Sequence, residues 1–135
     1  MTIRTVTEIV IGVLYAMEAT HQALWTLGHS QEFYTNMANR AWLPPAQVFV
    51  EKLLVPNSVT ITVLLIVFQA TVAIAILTRG PWVGPALVAG GVFSIVGALT
   101  GSPAETVGYS VLAGIHFWLA AARSRDPVAQ QQPSA

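Results

Sequence analysis

The sequence has no cysteine among its 135 residues, which rules out disulfides, thiolate metal sites and thiol–disulfide relays. Charge is scarce as well. Asp, Glu, Lys and Arg make up 9% of the chain, against roughly a quarter of a soluble domain. Six basic residues balance six acidic ones, so no net field favours nucleic acid or another polyanion as a partner. The signatures CxxC, HExxH, GxGxxG and the Walker loop are missing too, and with them the chemistry each supports. His21, His29 and His116 are too dispersed to mark a metal site. Ligand type leaves open only His21 and His116 as an axial haem pair.

What fills the chain is apolar. Mean hydropathy is +0.63. Val59 to Thr78 runs for twenty residues without a charge, a glycine or a proline, and as a helix it is about 30 Å long, the thickness of a bilayer's hydrocarbon core. A soluble four-helix bundle needs a polar outer face on every helix, and this segment has none. Three further segments qualify by length. Residues 5–27 are apolar except for Glu8, Glu18, His21 and Gln22; those interruptions and the lack of a cleavage signal argue for a retained helix over a signal peptide. Residues 82–100 follow the stop Arg79-Gly80-Pro81, and residues 104–122 follow Gly101-Ser102-Pro103. The expectation is an all-α, four-span transmembrane helix bundle, one membrane domain over 1–126, with helices near 5–27, 59–78, 82–100 and 104–122. Residues 127–135, rich in Gln and Pro, are expected to be a disordered tail.

Between the first two spans lies a long polar stretch, Gly28 to Ser58, divided by Pro44-Pro45. Here Ser30 is expected to cap a short helix near 31–41, and a second short helix over 46–54 should turn Val50, Leu53 and Leu54 inward. Aromatic residues beside charges suit a segment at a membrane boundary. Arg4, Arg79, Arg123 and Arg125 fall on one side of a four-span chain and Arg40 and Lys52 on the other. That bias predicts cytoplasmic N- and C-termini and an extracytoplasmic loop. Ala86, Gly90, Ser94 and Ala98 recur at every fourth position, a small-residue stripe that permits close helix packing, within one bundle or between copies.

The candidate site lies on the first helix. At 100° per residue, Tyr15, Glu18, His21, Gln22 and Trp25 share a face of about 120° centred on Glu18. That face is expected to look into the bundle, because an ionisable group facing lipid costs at least ~2.5 kcal/mol. By depth, Gln69 and His116 are expected to meet Glu18 there. Two roles stand side by side: hydrogen-bonding glue between helices, or a pocket for a small amphipathic molecule or a proton.

The layout also carries a resemblance. Ile11-Gly12-Val13-Leu14 leads into a polar helix end, a long loop holds Phe33-Tyr34 and a proline pair, a second helix has a mid-membrane polar residue and ends in Leu77-Thr78-Arg79-Gly80, and two short-looped helices follow. This resembles the DoxX-like family of small four-helix bacterial membrane proteins over most of residues 5–122. In that family an acidic residue often stands where this chain has Gln69, and a basic one where it has His21 or Gln22. The resemblance implies an inner-membrane protein associated with redox systems, including quinone-linked ones. The roles it leaves open are an accessory subunit contacting a redox partner or quinone, a binder of a quinone or lipid-like molecule or a minimal enzyme, and a homo-oligomeric transporter.

Overall fold

A computed structural model describes residues 1–126, and these are all-helical, with no strand. The Thr2 hydroxyl accepts from the Thr5 backbone N–H and opens helix α1 (Ile3–Leu24). A 3-10 turn, Thr26–His29, leads into α2 (Ser30–Arg40). Pro44 and Pro45 occupy the first turn of α3 (Pro44–Phe49), where a missing N–H costs nothing. Without a break, α3 passes into a π-helical segment, Val50–Leu54. Helices α4 (Ser58–Leu77), α5 (Val83–Thr100) and α6 (Pro103–Ser124) complete the chain. The start of α6 is a capping box, with Ser102 and Glu105 each satisfying the other's backbone N–H.

The four long helices match the expected segments to within three residues at each end. Two of them, α4 and α5, are long and apolar enough to cross a membrane. They form a helical bundle built as two tight pairs, α1 with α4 and α5 with α6. The α1/α4 pair is antiparallel, with Glu8 meeting Arg79, Gly12 meeting Ile76 and Leu77, and Ser30 meeting Ser58. In the other pair the small stripe lets the backbones close. Gly90 lies against the His116 ring, Gly91 against Phe117 and Gly97 against Tyr109. All four stripe residues are buried inside the bundle. Between the pairs the seams are looser. Along α4 and α5, apolar grooves of about 610 Å³ and 510 Å³ share Phe68 and Ala89.

Apart from Glu18, charge sorts to the two ends. At the basic end, Arg4 pairs with Asp126 at 2.9 Å, and Arg79 and Arg123 converge on Glu8. At the other end α2, α3 and the π segment form a cap. Its core of Tyr34, Ala38 and Val50 rests on Ile61 and Leu65 of α4. Trp42 donates to Thr106 at 3.0 Å and Arg40 faces Glu105 at 3.6 Å, tying the cap to α6. Two local expectations are corrected here. Ser30 opens α2 without capping it; its hydroxyl donates instead to Ser58, pinning cap to bundle. Of the three residues expected inward on the second short helix, Val50 is buried and Leu54 half-buried, but Leu53 is exposed. The wider π turn carries it off the inner face. The expected disordered tail, 127–135, lies outside the described residues.

Candidate functional site

The inward side of α1 is set by packing at its basic end. Glu8 is fully buried, and Gly12 has no room for a Cβ, which would stand 2.9 Å from Leu77. The buried positions are Glu8, Ile11, Gly12, Tyr15, Ala19 and Gln22. They centre on a line through Tyr15 that is roughly 60–70° around the helix from Glu18. The expected seven-residue pocket is therefore divided. Tyr15, Gln22, Gln69 and His116 are buried; Glu18, His21 and Trp25 are exposed. Trp25 stacks on His29 instead, with ring centroids 4.7 Å apart. His21 lies on the exposed side of α1 and His116 in the interior. The physical reason is that a buried carboxylate needs counter-charges. Arginines occur at the basic end, beside Glu8, and not at mid-helix, beside Glu18.

At mid-bundle the structure joins two of the expected residues directly. The Tyr15 hydroxyl lies 3.2 Å from His116 Nε2, and His116 Nδ1 lies 2.7 Å from the Leu112 carbonyl oxygen. A carbonyl only accepts, so its position assigns the proton to Nδ1. Nε2 is then the acceptor, and Tyr15 donates to it. The two rings meet edge to face at 5.7 Å. Gly90 makes this layer possible, since a Cβ there would fall 2.6 Å from the imidazole and from the Tyr15 oxygen. Ser94 stands beside the Tyr15 hydroxyl and donates its own proton to the Gly90 carbonyl at 2.8 Å.

Gln22 and Gln69 sit farther toward the cap. Their carbonyl oxygens are buried and have no protein partner; the same holds for the hydroxyls of Thr26 and Tyr34. Each such group costs about 1–3 kcal/mol if left dry. Glu18 stays outside this interior on the α1 edge that faces α6, within electrostatic reach of Tyr109.

The residues that sequence reasoning missed are Glu8, Gly90, Ser94, Tyr109, Arg79 and Arg123. Glu8 binds Arg79 Nη1 at 2.7 Å and Arg123 Nη1 at 3.4 Å. A signal for it exists: Glu8, Tyr15 and Gln22 are spaced seven apart, the repeat of one helix face. Arg79 holds a left-handed backbone, φ 62°, normally left to glycine at a helix end. Its guanidinium is what Glu8 needs there. Among the described residues, no three His, Asp or Glu side chains gather as a metal site.

The chain matches no family model, no curated protein and no solved structure.

Proposed function

We propose that this chain is a four-span protein of the bacterial inner membrane, with both termini in the cytoplasm. In this reading it serves as an accessory, redox-associated subunit of the DoxX-like kind, docked to a membrane partner along the seam between α1 and α6. The observation that carries it is Glu18. It is an exposed carboxylate at mid-height on α1, with exposed Leu14 one turn away on the same face. A bare carboxylate at that depth in lipid costs at least ~2.5 kcal/mol, so the face calls for a cover that donates to it or pairs with it. The redox part of the reading comes from the family layout alone.

Support for the membrane setting comes from the outer surfaces. In the apolar windows of α4 and α5 only 28% and 44% of the residues are buried, whereas a soluble core helix hides most of its apolar face. Exposed Trp25 and Trp42 mark the capped end and exposed Trp82 the basic end, as interfacial aromatics do.

A second reading shares the same seam. The Tyr15 hydroxyl lies one helical turn from Glu18, and a quinone-like headgroup entering from lipid would take it as donor in place of His116 Nε2. Native mass spectrometry from mild detergent separates the two. The wild type is expected to carry a second membrane protein, and Glu18→Gln to keep its helicity and lose that protein. A retained quinone or lipid would move the assignment to the binder, and a closed homo-oligomer to a transporter. Equal partner capture by Glu18→Gln would reduce this face to packing.

A further inference from the structure

Four buried polar atoms without protein partners fall on one line in the fold. The antiparallel contacts Glu8–Arg79, Gly12–Ile76 and Ser30–Ser58 set the α1/α4 register. By that register Thr26 stands opposite Thr62, Gln22 opposite Ile66, and Gln69 opposite Ala19. Tyr34 enters from the cap at the same level, its hydroxyl aimed at Thr62 without reaching hydrogen-bonding geometry. Thr62 donates to the Ser58 carbonyl at 2.8 Å, so toward Tyr34 it can act only as an acceptor. The sequence from the cap inward is therefore Tyr34 with Thr26 and Thr62, then Gln22, then Gln69. Relative exposures of Tyr34, Thr26, Gln22 and Gln69 are 1%, 1%, 7% and 3%.

A single unpaired buried group is common enough to carry no message. Four in register are different, because every one forfeits its hydration unless something polar reaches it. Their levels are separated by about one helical turn, roughly 5.4 Å. One water molecule spans that gap with two hydrogen bonds of about 2.8 Å each. The groups also have the right chemistry. Amide and hydroxyl oxygens accept from water, and the Thr26 and Tyr34 hydroxyls can donate to it. Buried waters typically hold about three such bonds. No charge lines the track, so an ion has no counter-charge there, and its walls are otherwise side chains of two closely packed helices.

We infer that the α1/α4 interface holds a file of ordered water running from Tyr34 beneath the cap, past Thr26 and Gln22, to Gln69 at mid-bundle. Its inner end lies about one turn from Tyr15, so it brings water from the capped end to the edge of the Tyr15–His116 layer. The file follows from the register and the unpaired atoms; only the name of the compartment it opens toward rests on the membrane reading.

Water-edited solid-state NMR tests it on the full chain, reconstituted in bilayers with deuterated acyl chains. Magnetisation from water is expected to reach the side-chain amides of Gln22 and Gln69 at the rate seen for exposed Gln31. The methyl groups of Ile76 and Leu87, fully buried in the core, are expected to lag. Gln22 and Gln69 lagging together with Ile76 would overturn the file. Failure of the membrane reading gives a different pattern, with rapid transfer at outward-facing Val67. The route is tested by Thr26→Val, which keeps the shape and removes the hydroxyl. Loss of rapid transfer to Gln69 in that variant supports entry from the cap, and undiminished transfer overturns it.

Discussion

Glu8 has no exposed surface, and the two guanidinium groups that reach it differ in surroundings. The Arg79 side chain is 36% exposed and that of Arg123 14%. Arg79 can fall back on outside water or lipid phosphate when its partner is lost; Arg123 has much less recourse. Replacing Glu8 by Ala leaves that second charge enclosed, and breaking a buried pair in this way costs about 3–5 kcal/mol. Glu8→Ala is therefore expected to unfold at markedly lower denaturant in mild detergent, followed by helicity. A loss under about 1 kcal/mol, the range of an exposed pair, would show that the cluster is wet. The neighbouring Arg4–Asp126 pair, near 30% exposed on each side, is expected to matter much less. Sequence reading noticed these arginines only as a charge bias. Their second role was hidden because the pairing joins positions 71 and 115 apart in sequence, which local pattern does not report.

Helix α5 shows what close packing demands of an element. Its face toward α6 carries Gly90, Gly91 and Gly97, each filled by an aromatic or imidazole ring. Elsewhere glycine weakens a helix by about 0.5–1 kcal/mol relative to Ala, so its recurrence here reflects contact distance rather than propensity. Two substitutions of the same kind should thus have opposite signs. Gly90→Ala puts a methyl 2.6 Å from the His116 ring and the Tyr15 oxygen, and overpacking of this sort costs about 1–3 kcal/mol. It should also separate Tyr15 from His116. Gly114→Ala, where a Cβ meets nothing within 4 Å, should gain about 0.5–1 kcal/mol in helix propensity. Thermal unfolding of the two variants checks the contrast, and equal shifts would mean that the α5/α6 interface relaxes freely. The small stripe was legible from spacing alone, and so were the four long helices, the last three parted by the stops Arg79-Gly80-Pro81 and Gly101-Ser102-Pro103. The rotation of α1 was not. Choosing Glu18 as the inward reference ignored Gly12, whose partners on α4 turn the helix, and the Tyr15–Gln22 line was found only with the contacts in view.

At the scale of the whole molecule the question is which medium the bundle is built for and which way round it sits. Val63, Leu64 and Val67 on α4, Val92 and Val96 on α5, and Val107 and Val111 on α6 all point outward. Burying them costs nothing in lipid and has no equivalent in a monomer in water. The charges complement this arrangement. Arg4, Arg79 and Arg123 gather in ion pairs at one end and Arg40 at the other, and the cytoplasmic side of a membrane protein holds the excess of Arg and Lys. Since the chain has no cysteine, one introduced thiol reports on one place. Ala104→Cys at the capped end should react with a membrane-impermeant maleimide in intact spheroplasts. Ser124→Cys at the basic end should react only after lysis, because both sites are exposed on the protein and the proposed topology sets them on opposite sides of the bilayer. The reverse pattern would invert the topology and place the cap, with the mouth of the Tyr34–Gln69 track, in the cytoplasm. Equal labelling before lysis, together with release of the protein by alkaline carbonate, would mean that the apolar surfaces are covered by protein rather than lipid, and the Glu18 seam would then be an ordinary subunit interface.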